Sequence, residues 1–236
     1  MNTMNNTKQT QPASGYSIWF LLIVAIFVTC LITANIVAVK LVQIGSLVVP
    51  AGIVIFPISY IVGDVLTEVY GFRRARRVIW LGFFCNLIAV IGILIGQALP
   101  AASFWDAQPA YERILGFTPR LLGASFAAFL VGEFANSYVM SRMKVATKGR
   151  WLWTRTIGST VVGEGLDSLI FVLLAFWGMS PESALFSAVL TQWLLKVLYE
   201  TVATPLTYLV INFIKRREGV DVFDEGISFN PLSLRE

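Results

Sequence analysis

Long apolar runs, separated by short charged or turn-forming stretches, dominate the chain. Six of them, over 17–42, 46–70, 77–98, 119–141, 155–177 and 184–214, are each apolar over about the 20 residues that a helix needs to cross a bilayer. The pattern predicts an all-α integral membrane protein, a six-transmembrane-helix bundle. The second run departs from a regular helix, because Pro50, Gly52 and Pro57 fall in its first half. Proline removes a backbone donor and blocks the preceding turn. At membrane depth, broken backbone is tolerated only where protein buries it or where it lines a cavity. The broken outer half of the second span is therefore either a kink or dipping loop, or a segment that lines a solute path.

The chain divides on this pattern into a polar tail over 1–16, expected to be disordered, a six-helix transmembrane domain over 17–214 and a tail over 215–236. The last stretch is mixed in charge and expected to be loosely ordered. The first 15 residues lack the basic-then-apolar layout of a cleaved signal peptide. Small residues four apart, Ala34 with Ala38 and Gly92 with Gly96, allow close helix approach. Packing within the chain is the first reading of these pairs; they also leave room for a homodimer.

Composition agrees with a membrane protein. Hydrophobic residues make up 56% of the 236 and charged residues only 14%, well under the roughly 25% of soluble domains. Mean hydropathy is +0.72. The basic residues gather at span ends: Arg73, Arg74, Arg76 and Arg77 after the second span, Arg142, Lys144, Lys148 and Arg150 after the fourth, and Lys215, Arg216 and Arg217 after the sixth. The positive-inside rule then puts both termini in the cytoplasm. That clustering gives the basic balance a topological meaning and removes any need for a nucleic-acid partner. Cys30 and Cys85 fall inside apolar spans, and histidine is absent. No disulfide framework or metal-ligand spacing is present. With no nucleophile–base pair and no phosphate-binding glycine loop either, neither an enzyme nor an ATP-driven module is indicated. No cofactor is expected.

Six acids lie within the spans: Asp64, Glu68, Glu133, Glu164, Asp167 and Glu200; Lys196 is the one lysine at comparable depth. Each charge near the bilayer centre costs about 2.5–3.5 kcal/mol or more, so such groups are paired or used. At about 1.5 Å per residue, Asp167 lies about 18 Å and Glu164 about 13 Å from Arg155, Glu133 about 12 Å from Ser141, and Lys196 about 18 Å from Ala184. These four share a level near the midplane. Asp64 lies about 9 Å and Glu68 about 3 Å from Tyr70. Glu68 is read as structural, paired with Arg73 or Arg74. Asn136 shares a face with Glu133, three residues away. Either Lys196 neutralises acids in a buried ion-pair network, or the set awaits a solute that donates hydrogen bonds. Even with Lys196 paired, acids outnumber the base. Among nearby aromatics, Phe56, Tyr60 and Trp193 are candidates to stack on a planar ligand.

The ordered set Phe56-Pro57, Asp64, Glu68, Tyr70-Gly71, Ala75-Arg76, Gly132-Glu133-Phe134-Ala135-Asn136, Arg155-Thr156, Ser159-Thr160, Gly163-Glu164, Asp167, Ala175-Phe176-Trp177 and Lys196 resembles the queuosine precursor transporter family, relatives of the vitamin uptake transporters. The resemblance runs from the first span to the sixth. It implies an inner-membrane importer of 7-cyano-7-deazaguanine and 7-aminomethyl-7-deazaguanine by alternating access. Taken with the polar and aromatic positions above, it gives a candidate substrate site of Asp167, Lys196, Glu133, Glu164, Asn136, Asp64, Phe56, Tyr60 and Trp193. The alternative is a substrate-binding component of an energy-coupling vitamin importer that needs a separate ATPase module. The partners expected are a small deazapurine and the lipid bilayer.

Overall fold

The computed structural model describes residues 16–44, 47–116, 119–179 and 181–233. The expected disordered tail falls almost wholly outside them. The elements are α1 (Ile18–Val37), β1 (Leu41–Ile44), β2 (Leu47–Pro50), a 3-10 turn (Ala51–Val54), α2 (Phe56–Tyr70), α3 (Phe72–Ala98), α4 (Gln108–Leu115), α5 (Pro119–Ala146), α6 (Leu152–Phe176) and α7 (Glu182–Glu218). Five helical segments among the described residues are long and apolar enough to cross a membrane. The protein is a helical membrane bundle. Its surface carries exposed apolar side chains such as Ile88, Ile95, Val202 and Leu209, the inverse of a soluble domain.

The first two spans differ most from the sequence expectation. Helix α1 stops at Val37, short of residue 42. The chain then forms an antiparallel hairpin in which Leu41 pairs with Pro50 and Val42 with Val49. Both strands are rich in β-branched and apolar residues, which favour extended backbone. Pairing lets them satisfy each other's backbone groups. Pro57 does not kink α2; it sits in the helix's first turn, where its missing N–H is not needed. At 15 residues α2 is about 22 Å long, short of a full crossing. It is the most enclosed helix: every residue from Ile61 to Tyr70 is buried.

The short helix α4 lies between α3 and α5. Its Tyr111 hydroxyl donates to the Ile93 carbonyl of α3 at 3.3 Å. Arg120, at the start of α5, donates to the carbonyls of Leu174 and Trp177 at 2.8 and 2.5 Å. It thereby satisfies the unpaired carbonyls, and offsets the negative dipole end, at the terminus of α6.

The two halves of the bundle are packed differently. The apolar core joins Phe20, Ile23 and Phe27 of α1 to Ile61, Val65, Leu66 and Val69 of α2, with Val78, Met140, Ile211 and Ile214 closing around them. These residues lie toward the end that carries the arginine-rich turns, called the basic end here. The opposite half encloses a cavity. Helices α5 and α6 cross closely between the halves. A Cβ on Gly163 would lie 2.7 Å from the Asn136 Cβ, and one on Gly132 would lie 2.8 Å from the Asp167 Cβ. That crossing brings Asp167 and Asn136 to their places. The anticipated small-residue pairs do less. Ala34 is buried, but Gly92 faces open space and Gly96 meets only the Tyr111 side chain of α4.

The C-terminal tail is not loosely ordered: its described part, 219–233, docks on the basic end. The Asp224 carboxylate accepts from the Phe72 backbone N–H at 2.8 Å and the Ser141 hydroxyl at 2.7 Å. Arg76 donates to the carbonyls of Ser228 and Asn230 at 3.3 and 2.8 Å, and the Trp80 indole to that of Pro231 at 2.9 Å. Gly71 joins α2 to α3 at φ +82°, and a Cβ there would lie 2.7 Å from Val222 of the tail. Only glycine suits both that backbone and that contact.

Candidate functional site

A cavity of about 710 Å³ occupies the half of the bundle away from the basic end, within the range of small-molecule sites. Residues of α1, α2, α3, α5, α6 and α7 line it, among them Asn35, Tyr60, Asn86, Glu133, Glu164, Asp167, Phe171 and Lys196. Depth counting placed Glu133, Glu164, Asp167 and Lys196 at one level, and all four reach this space.

Lys196 organises the polar wall. Its ammonium donates to Asp167 and pairs with Glu164 at 2.7 Å. The Tyr60 hydroxyl donates to Glu164 at 3.5 Å. Glu133 lies within electrostatic reach of Glu164, Asp167 and Lys196. Its carboxylate stands over Gly63 of α2, where an added Cβ would lie 3.6 Å from it, an ordinary contact distance. Two carboxylates thus share one ammonium, with a third, Glu133, nearby. The Lys196 and Glu164 side chains are still 19% and 13% exposed, so the cluster faces the cavity rather than a dry interior. Lys196 holds the acids in place, and the excess acceptors can take N–H groups from a solute. Phe129 and Phe171 supply apolar surface to the same cavity.

Other expected site residues lie elsewhere. Trp193 turns away from the cavity: its indole N–H donates to the Val161 carbonyl at 2.9 Å, and its ring packs on Gly165. Asp64 and Asn136 sit below the cavity, joined by a 3.4 Å hydrogen bond from the Asn136 amide to Asp64. Phe56 occupies the first position of α2, and its side chain lies outside the described residues. The lining also holds polar residues to which the charge pattern does not point, Asn35, Asn86 and Gln192 among them. Asn35 and Asn86 meet on the α1–α3 side of the cavity, where the Asn35 amide donates to Asn86 at 3.1 Å. Uncharged amides in apolar spans carry the signal that would have found them.

Glu68 is structural as expected, but its partners are not Arg73 and Arg74. Arg155 grips it with two hydrogen bonds of 2.7 Å each, and Lys215 adds one of 2.6 Å. Lys144 stands 3.7 Å from the same carboxylate and also bonds Asp221 of the tail. Glu68 and Arg155 are fully buried. This network ties α2, α5, α6, α7 and the tail together at the basic end, below the apolar core.

A helical membrane bundle that is sealed at one end and holds a charged cavity in the other half has the build of a solute carrier. The family model described as "Putative vitamin uptake transporter" matches residues 50–210. The chain belongs to this transporter family, and it is accordingly a membrane transport protein and not an enzyme. It is 32% identical to a "Probable queuosine precursor transporter" of Bacillus subtilis over 79% of this chain and 82% of that protein. It is 24% identical to the "Queuosine precursor transporter" of Escherichia coli over 92% of this chain and 94% of that one. Similarity to a further "Probable queuosine precursor transporter", from Haemophilus influenzae, is 27% over 53% of this chain and 51% of that protein. No solved structure matches the chain.

Proposed function

We propose that this protein is a stand-alone carrier that imports queuosine precursors, 7-cyano-7-deazaguanine and 7-aminomethyl-7-deazaguanine, across the inner membrane. The observation that carries the reading is Lys196 held between Glu164 and Asp167 in a cavity large enough for a base. A deazaguanine presents a ring N–H beside an exocyclic amine, and one carboxylate accepts both. Its carbonyl oxygen accepts from Lys196. An aminomethyl cation is matched by Glu133, the remaining acid at the cavity wall. The ring faces rest on apolar surface, with Tyr60, Phe129 and Phe171 nearest to hand. Analogues lacking these donors leave buried acceptors unpaired and are rejected.

In this reading α2 and the hairpin before it complete a sixth crossing, and the basic end with both termini is cytoplasmic. The cavity then faces outward, while core, charge network and tail seal the inside. That is one end state of alternating access. The reading that needs a separate ATPase module gains no support here. Ala34 is buried and Ala38 lines the cavity, so the pair that would suit docking faces inward.

A thermal-shift screen of the purified protein tests the substrate assignment. Ligands that bind only the native state raise its apparent stability. Either deazaguanine is expected to raise the melting temperature, with adenine and common vitamins inert. A vitamin that stabilises the protein while both deazaguanines do nothing would overturn the assignment.

A further inference from the structure

Between the cavity and the charge network of the basic end lies a third polar group that neither one uses. Asp64 of α2 and Glu200 of α7 are 1% and 0% exposed. One Asp64 oxygen accepts the weak bond from Asn136; the other has no hydrogen-bond partner, and neither has either oxygen of Glu200. The Asn136 carbonyl oxygen is orphaned beside them. The charged groups facing Asp64 are Glu200 on α7, Glu133 on α5 and Glu68 on its own helix. Glu200 also faces Glu164 on α6. Among the described residues no basic side chain forms an ion pair with Asp64 or Glu200. Lys196 is taken by Glu164 and Asp167, and Arg155, Lys144 and Lys215 are engaged by Glu68 and Asp221.

Two buried carboxylates with no cation between them cannot both stay ionised in a low-dielectric interior. The site lacks one positive charge and at least one donor, and a proton supplies both. A protonated Glu200 brings an O–H donor to a buried group whose acceptors, the free Asp64 oxygen and the Asn136 carbonyl oxygen, have no donor of their own. A metal ion fits less well, because the described residues hold no group of three or more acid or cysteine side chains arranged for one. We propose that Asp64 and Glu200 form a proton-binding site that couples solute uptake to proton influx, an inference that rests on the carrier reading above.

The geometry supplies a route for coupling. Glu200 stands one helical turn from Lys196, on the same face of α7. Glu164 touches Lys196 at 2.7 Å and faces Glu200, so a solute that engages Glu164 changes the field at Glu200. Solute and proton then favour each other's binding reciprocally. Arriving from the outer cavity, the proton forms an O–H bond on Glu200 or Asp64 and lets α2 and α7 pack together. Its loss to the cytoplasmic side leaves two like charges, which push those helices apart.

The test uses the purified protein in sodium-free proteoliposomes with labelled 7-aminomethyl-7-deazaguanine. An acid-outside pH gradient is expected to raise initial uptake at least tenfold over no gradient. In weakly buffered wild-type vesicles, adding the base alkalinises the external medium, a readout that needs no variant. Glu200→Gln is expected to keep binding of the base, seen as a thermal shift, while its uptake ignores the gradient; Asp64→Asn repeats the test on the other helix. Uptake indifferent to pH, uptake driven by a sodium gradient at uniform pH, or a Glu200→Gln protein that responds like wild type would overturn the proton site. Thermal shift on the same preparation separates the failures: bound base with pH-independent uptake sinks the proton site alone, whereas no bound base sinks the substrate assignment and the proton site with it.

Discussion

Removing the Lys196 ammonium leaves Glu164 and Asp167 without their shared cation, beside Glu133 in the same cavity. Lys196→Ala is therefore expected to cut uptake of labelled base at least a hundredfold, with protein still present in the membrane fraction. Asp167→Asn is expected to do the same by removing the acceptor. Normal uptake by both variants would take these residues out of the site. Glu68 behaves differently, because it holds structure rather than solute. Glu68→Ala strands the fully buried Arg155, and breaking such a pair costs about 3–5 kcal/mol. Its melting temperature in detergent should fall sharply, while the double variant with Arg155→Ala should lose less than the two singles summed. The grouping of Glu133, Glu164, Asp167 and Lys196 was legible because the rise per residue converts sequence position into level along a helix. The partners of Glu68 were not: Arg155 read as a span-end marker, and nothing local shows that α6 turns it inward. Asn35 and Asn86 are not legible in that way, because neither shares a helix face with an acid, the relation that marks Asn136.

Helices α5 and α6 meet through single glycines, and that contact fixes the position of Asp167. Gly163→Ala would place a methyl 2.7 Å from the Asn136 Cβ and 2.9 Å from the Gly132 carbonyl. Overpacking of this kind costs about 1–3 kcal/mol, so thermal unfolding should show a lower midpoint and uptake should weaken with it. Gly92→Ala meets nothing within 4 Å and serves as the matched control, with little change expected. Gly92 and Gly96 are visible in the sequence because they stand four apart on one helix. The contact of Gly132 with Gly163 is not, because each helix contributes one glycine, a relation that only the crossing reveals. The broken start of the second span was legible from Pro50, Gly52 and Pro57. Its resolution into a hairpin was not, since which strands pair depends on contacts beyond the local run.

The whole molecule is closed at the basic end by its own C-terminal tail. Burial pushes the Asp221 carboxyl up, but hydrogen bonds from Lys144 and Lys215, with their charges, outweigh it and hold the group below its ordinary value. A lowered carboxyl stabilises above its ordinary range and loses that contribution as pH falls through its lowered value. Tail docking should thus stay constant from pH 8 to 5 and weaken only in acid below about pH 4, the ordinary carboxyl range. Hydrogen exchange over 221–231 checks this, and Asp221→Asn should lower the protection already at pH 7. The tail's mixed charge suggested disorder because its partners, Lys144 of α5 and Lys215 of α7, lie far away in sequence or in another role. The bundle itself was legible, since apolar length alone specifies membrane helices.

The most direct measurement is uptake of labelled 7-aminomethyl-7-deazaguanine by this protein alone in proteoliposomes, with Lys196→Ala alongside. The account predicts saturable uptake by the wild type that excess unlabelled 7-cyano-7-deazaguanine competes away, and none above empty vesicles for the variant. Folded wild-type protein that moves no base, or a Lys196→Ala protein that moves it as well as wild type, would contradict it.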